Sequence, residues 1–124
     1  MKKQLKTVRN FLASLQGIDQ NGFLFANSND DRLKGSFSNA LRSCQARCDT
    51  LSVIAGNDDE HTAKSLADIE EFLSITLSYI DDGELLYGAP DKMTKLMLDF
   101  IEDAGSTVAE LRAQVDRRRG MSAS

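Results

Sequence analysis

The sequence predicts an all-α protein, a single-domain antiparallel four-helix bundle. Apolar residues recur at intervals of three and four along four segments of the chain. One proline and no tryptophan occur among 124 residues, so long helices can run uninterrupted. Four amphipathic helices with mostly short connections bury their apolar faces most simply in a bundle, and a chain of this length forms one domain.

The first two helices are predicted over residues 2–16 and 31–55. The first is marked by an apolar stripe made of Leu5, Val8, Leu12 and Leu15. Either Asp30 or Asp31 would cap the second helix, and Gly56 would end it. Its stripe consists of Leu33, Phe37, Ala40, Leu41, Cys44, Cys48, Leu51 and Ala55.

The third and fourth helices are predicted over residues 58–82 and 91–119. The run from Asn57 to Glu60 has the spacing of a capping box ahead of the third helix, which ends near Gly83. Pro90 precedes the fourth helix. Three arginines in its last turn and Gly120 just beyond them predict where it ends.

The charges are sorted along the chain. Residues 57–103 hold 13 acidic and 3 basic side chains, a net charge of −10, whereas the rest holds 12 basic and 6 acidic ones, a net charge of +6. The formal total of −4 therefore conceals a strongly dipolar molecule.

No apolar run approaches the ~18 residues that cross a bilayer, and the basic N-terminus leads into an amphipathic segment rather than a signal peptide. Two cysteines are too few for the disulfide framework of a small secreted domain. We therefore expect a cytoplasmic protein without a membrane span.

Two connections carry more apolar residues than a polar turn needs. One, residues 17–30, holds Phe23, Leu24 and Phe25, and the other, residues 83–90, holds Leu85, Leu86 and Tyr87. Each cluster either caps one end of the bundle or lies exposed as a contact surface for a partner.

Metal and nucleophile chemistry finds little support in the sequence. Cys44 and Cys48 share a helical face and could ligate zinc with His61, but three ligands are too few for a structural site. Both cysteines lie on an apolar stripe, so we expect buried free thiols. His61 is the only histidine and has no predicted nucleophile beside it, which favours a surface histidine. We expect no enzyme and no cofactor.

The pairs Asp68-x-x-Glu71 and Asp99-x-x-Glu102 loosely resemble the acidic motifs of the all-helical nucleoside triphosphate pyrophosphatases. That resemblance implies magnesium-dependent hydrolysis, with carboxylates facing inward. At 100° per residue these carboxylates lie on the side of each helix opposite the apolar stripe, which favours a solvated acidic face.

The segment Asp31-Arg32-Leu33-Lys34-Gly35-Ser36 resembles the phosphoacceptor motif of histidine phosphotransfer domains, with Asp31 in the place of the reactive histidine. Without the imidazole no phosphohistidine forms. The resemblance implies at most a docking role, in which Lys34 and Gly35 would face a response-regulator receiver domain.

The leading hypothesis is a non-enzymatic regulator or inhibitor that docks on a basic partner protein, for example a nucleic-acid-handling one, through its third and fourth helices and its apolar connections. Direct nucleic-acid binding is disfavoured because no basic stripe with interleaved aromatics exists in the sequence. The alternative is a self-associating bundle, including a homodimer. The candidate contact residues are Phe23, Phe25, Glu70, Glu71, Asp81, Asp82, Glu84, Leu85, Leu86, Tyr87, Glu102 and Asp103.

Overall fold

The protein is a four-helix bundle. A computed structural model describes the backbone of residues 2–26, 28–54 and 58–123, and the side chains of all these residues except 54 and 121–123. The helices are α1 (Lys2–Gln20), α2 (Asp31–Ile54), α3 (Asp59–Asp81) and α4 (Asp91–Ala123). No strand occurs within those ranges. The predicted all-α class is confirmed.

The helices form a ring. Helices α1 and α3 each pack against both α2 and α4, so that α1 lies diagonally across from α3, and α2 from α4. Consecutive helices are therefore antiparallel neighbours. The outer faces of the α1–α2 hairpin and the α3–α4 hairpin lie on opposite sides of the bundle.

The predicted helix bounds differ from the observed ones by more than one residue in two places. Helix α1 continues past Gly17 to Gln20, and α4 continues past Gly120 to Ala123. A glycine inside a helix costs only about 1 kcal/mol relative to alanine, so it ends a helix only where the backbone turns left-handed. After α1 that turn occurs at Gly22, whose φ is 80°.

Aspartates cap two of the helices. The Asp30 carboxylate accepts a 3.0 Å hydrogen bond from the Leu33 amide at the start of α2, which decides between the two predicted caps. At the start of α3, the Asp58 carboxylate accepts a 3.0 Å bond from the His61 amide. The predicted capping box is therefore wrong by one residue. Asn57, its predicted first member, lies outside the described residues.

The two hairpins repeat one another. Positions 61 apart in α1 and α3, and 60 apart in α2 and α4, are buried alike along the core faces of the helices. Identical buried pairs are Leu5 and Leu66, Phe11 and Phe72, Leu12 and Leu73, Leu24 and Leu85, and Leu51 and Leu111. The bundle thus contains an internal repeat of one helical hairpin.

The turns after α1 and α3 show the same repeat. Gly22 and Gly83 have φ values of 80° and 77°. In both turns the glycine amide donates to the carbonyl three residues back, and the next amide donates to the carbonyl five residues back. These are the hydrogen bonds of a Schellman motif, which ends both helices in the same way.

The apolar connections belong mostly to the core. Leu24, Phe25, Leu85 and Leu86 are at most 8% exposed. A core that continues past the helix ends needs apolar side chains to cover it. For these four residues, the structure therefore agrees with the alternative in which each cluster covers one end of the bundle. As contact residues, Phe25, Leu85 and Leu86 were wrongly predicted, because a partner cannot reach them in this fold.

Candidate functional site

The structure separates the predicted acidic residues of α3 and α4. Glu70 and Glu102 line the same groove between these helices. Glu71 instead lines a cleft between α2 and α3. Asp103 follows Glu102 directly, so it points about 100° further around α4. Of these four residues, only Glu70 and Glu102 line this groove.

The α3–α4 groove is largely apolar. It has a volume of about 520 Å³ and is lined by Glu70, Leu73, Ser74 and Leu77 of α3 and by Leu98, Ile101, Glu102, Gly105 and Ser106 of α4. Leu77 keeps 38% of its surface exposed. The small residues Ser74, Gly105 and Ser106 leave room between the larger ones. The groove is shaped to receive apolar side chains from outside.

The α1–α2 hairpin has a polar bridge at the position equivalent to the middle of this groove. There the Gln45 side-chain amide donates a 2.9 Å hydrogen bond to the Gln16 side-chain oxygen, across the two helices. The equivalent positions of the α3–α4 hairpin are Gly105 and Leu77. Where the first hairpin has two bridging glutamines, the second therefore has a glycine and a half-exposed leucine.

A second equivalent pair shows the same difference. The Ser38 hydroxyl donates a 3.0 Å hydrogen bond to the Asp19 carboxylate between α1 and α2. The equivalent residues between α3 and α4 are Leu98 and Ile80. Polar hydrogen bonds therefore cross between α1 and α2 at two positions where the α3–α4 hairpin has apolar residues or glycine. The difference is local, since the buried faces of the two hairpins match.

The electrostatics of the α3–α4 groove are acidic. The Glu70 carboxylate forms a 2.6 Å ion pair with the Arg112 guanidinium of α4, which offsets its charge. Within the described residues, Glu102 and Asp81 take part in no ion pair. Asp81 lies one helical turn beyond Leu77. Both exposed carboxylates can attract a cationic side chain.

The end of the bundle beside this groove is also acidic. Asp81, Asp82 and Glu84 are exposed at the end of α3 and just after it, and the last turn of α3 holds no basic residue. Negative charge at a helix C-terminus costs about 0.3–1 kcal/mol per residue. These carboxylates therefore do not stabilise α3, and they add to the field that a basic partner would meet.

Two predicted aromatic contacts do lie on the surface. Phe23 is 47% exposed and Tyr87 is 65% exposed. They lie in the two connections at the acidic end, each next to a buried leucine that holds its connection in place. These two residues, unlike Phe25, Leu85 and Leu86, remain accessible to a partner.

The other candidate residues are accounted for by local contacts. Asp68, predicted to face water, is half-buried in a 3.1 Å ion pair with Arg47 of α2. Glu71, Asp99 and Glu102 are exposed as predicted, and so is His61. No group of three or more His, Cys, Asp or Glu side chains within the described ranges could hold a metal ion.

The two thiols and the phosphoacceptor-like segment also have simple surroundings. Cys44 and Cys48 are buried and free, as predicted. The hydrogen bond to Cys48 and burial raise the pKa of the Cys44 thiol, which keeps it protonated and unreactive. Asp31 lies exposed in the first turn of α2, 3.8 Å from the Lys34 ammonium.

Comparisons with protein families, curated proteins and solved structures find no match for the chain. Across the described residues, no helix has the length and apolar character that a membrane crossing requires.

The groove was not predicted from the sequence, because a glycine inside a helical pattern carries no sign of what lies beside it. Gly105 lies in mid-helix, and a Cβ built on it would meet nothing within 4 Å. The glycine is therefore not required by packing. A position-by-position comparison of the two hairpins would have found it, since Gly105 is equivalent to Gln45.

Proposed function

We propose that the protein is a binding module whose α3–α4 groove receives an amphipathic helix of a partner protein. The observation that carries the proposal is the exchange of the bridging Gln45 for Gly105 at the equivalent position of the second hairpin. In helix-in-groove recognition an amphipathic helix lays its apolar face into a hydrophobic groove, and Gly105 leaves such a groove between the leucines of α3 and α4.

The charges around the groove define the partner further. The exposed carboxylates of Glu102 and Asp81 favour Lys or Arg beside the apolar stripe of the partner helix. The acidic residues at the nearby end of the bundle would speed the encounter with such a partner. In the cytoplasm, where we expect the protein to act, this binding would let it regulate or inhibit a basic protein.

A designed peptide tests the proposal in place of the natural partner. The probe is a labelled helix of about 18 residues, or five turns, with a leucine stripe flanked by lysines. A second peptide carries glutamates in place of the lysines. Fluorescence anisotropy measures both affinities, and amide NMR shifts locate the bound peptide. We expect the lysine peptide to bind at the groove and the glutamate peptide to bind weakly or not at all.

Two matched pairs of variants make the test specific. Gly105→Leu fills the groove, while Gly35→Leu places the same side chain at an exposed helical position of α2 where nothing lies within 4 Å. Glu102→Lys reverses a groove charge, while Asp103→Lys reverses an exposed charge one residue away. We expect each groove variant to weaken binding about tenfold, or ~1.4 kcal/mol. Equal affinity for Gly105→Leu and Gly35→Leu would refute the proposal.

A further inference from the structure

The outer faces of the two hairpins carry opposite charges. At equivalent positions, Arg9 of α1 corresponds to Glu70 of α3, and Arg42 of α2 corresponds to Glu102 of α4. The α1–α2 face bears a cleft of about 610 Å³ lined by Lys2, Lys6, Arg9, Asn10, Leu12, Ala13, Gln45 and Asp49. The repeat has preserved the core, and at these two positions it has inverted the charge of the surface.

Several basic groups on the α1–α2 face have no acidic partner in the described part of the chain. Arg9 is paired with Asp49 at 3.2 Å. Lys2, Lys6 and Arg42 form no ion pair within the residues that the structure describes. Because the two hairpin faces lie on opposite sides of the ring of helices, these basic groups lie on the side of the molecule opposite the carboxylates of Asp81 and Glu102. The α3–α4 face also bears a second cleft, whose lining includes Lys64, Arg112 and Arg119.

We propose that copies of this chain associate head to tail, with the α3–α4 face of one copy against the α1–α2 face of the next. Lys6 and Arg42 of one molecule would then meet Glu102 and Asp81 of its neighbour. A two-fold dimer through either face would instead place like charges together, which costs energy. An interface between two different faces closes into a ring only if its rotation allows it, and faces on opposite sides of the molecule favour linear chains instead.

The strength of this contact depends on salt. The charges that drive it are exposed, so each pair contributes little and is screened beyond a Debye length of about 8 Å at physiological ionic strength. The association is therefore expected at low ionic strength and high protein concentration. A partner helix in the α3–α4 groove would compete with the neighbouring copy and end the chain.

The inference goes beyond the proposed function, because it gives the basic α1–α2 face a role that partner binding does not use. Sedimentation velocity at low and high salt tests it on the full chain. For the unmodified protein we expect the average sedimentation coefficient to rise with concentration beyond that of a dimer at low salt. At high salt it should stay at the monomer value.

Charge-reversed variants identify the two faces that meet in this contact. Lys6→Glu with Arg42→Glu makes both faces acidic, and Asp81→Lys with Glu102→Lys makes both faces basic. We expect each variant alone to remain monomeric at low salt. An equimolar mixture of the two should assemble again, because acidic and basic molecules then alternate. Reversal of two other exposed bases that have no place in the proposed contact, Lys3→Glu with Arg32→Glu, should leave assembly unchanged.

Three results would overturn the inference: a concentration-independent monomer at low salt, growth that stops at a dimer, or a variant mixture that does not assemble. The peptide assay distinguishes a failure of the head-to-tail contact from a failure of the proposed function. The acidic variant, Lys6→Glu with Arg42→Glu, retains the α3–α4 groove, so it should still bind the lysine peptide. Peptide binding without assembly would refute only the head-to-tail contact, and assembly without peptide binding would refute only the partner groove.

Discussion

The amide of Leu86 donates a 2.9 Å hydrogen bond to the carbonyl of Leu24, and this bond joins the two interhelical connections at one end of the bundle. Leu86 makes it from the left-handed region, with a φ of 61°, while its side chain stays 3% exposed. A left-handed conformation costs a non-glycine residue about 1–2 kcal/mol. Burial of the leucine and the hydrogen bond together offset that strain.

The left-handed backbone of Leu86 predicts an unusual order of stabilities. Leu86→Ala should lower the free energy of unfolding by about 2–5 kcal/mol, because it leaves a cavity and keeps the strain. Leu86→Gly should cost about 1 kcal/mol less than Leu86→Ala, because glycine adopts this conformation freely. Urea denaturation measures both.

Leu85 supplies the matched control. It is 1% exposed, and its φ is not positive. At this position we expect the ordinary order, with Leu85→Gly less stable than Leu85→Ala. If alanine were the better residue at position 86 as well, the left-handed backbone would not contribute to the stability of this connection.

The glycines divide into two groups by backbone conformation. Gly35→Ala and Gly105→Ala should each raise the free energy of unfolding by about 0.5–1 kcal/mol, since both sit within helices and a Cβ would meet nothing within 4 Å. Gly83→Ala should lower it by about 1 kcal/mol, because φ is 77° there. Thermal unfolding followed by circular dichroism shows whether each substitution raises or lowers the stability. Stabilisation by Gly83→Ala would contradict the Schellman turn.

The four-helix fold could be predicted from the sequence because the main determinants of the helices are local. Apolar spacing, aspartate caps and glycines after helices each depend on a few neighbouring residues, and they predict all four helices. The exposure of the connections depends on packing between distant residues. Burial of Leu86 against the other connection could not be predicted from spacing, and neither could the exposure of Tyr87 next to it.

The candidate site was predicted only in part for a similar reason. Counting charges along the chain gives the acidic character of α3 and α4 but not the direction of each carboxylate. Glu70 and Glu71 are adjacent in sequence, yet they line different grooves. The polar bridge of one hairpin and its absence from the other become visible only when Gln45 and Gly105 are seen at equivalent positions.

The internal repeat predicts which core substitutions the chain tolerates. Cys44 and Cys48 correspond to Ala104 and Val108, which are buried to the same degree. The double variant Cys44→Ala, Cys48→Val should therefore stay within about 1.5 kcal/mol of the unmodified protein. The exchanged variant, Cys44→Val with Cys48→Ala, should be less stable. It puts the larger side chain where the repeat has alanine and the smaller one where the repeat has valine. Equal urea midpoints for the two variants would show that the cores of the hairpins are not equivalent.

The ion pair between Arg118 and Asp59 connects the end of α4 to the start of α3. Their atoms Nη2 and Oδ1 lie 2.9 Å apart. The hydrogen bond from Arg118 holds the pKa of the Asp59 carboxyl below its ordinary value of 3.8. A pKa that is lower in the folded state than in the unfolded one stabilises the fold above the unfolded value. That stabilisation is lost as the pH falls through the folded pKa.

This ion pair therefore predicts how Asp59 titrates. We expect the carboxyl carbon of Asp59 to titrate below pH 3.8 in NMR spectra, and its pKa to rise in Arg118→Gln, because the hydrogen bond that favours the charged carboxylate is then lost. Arg117→Gln removes an exposed arginine that does not contribute to this shift, so it should leave the titration midpoint of Asp59 unchanged. A midpoint that moved equally in both variants would show that the general positive charge of this end, rather than the Arg118 contact, lowers the pKa.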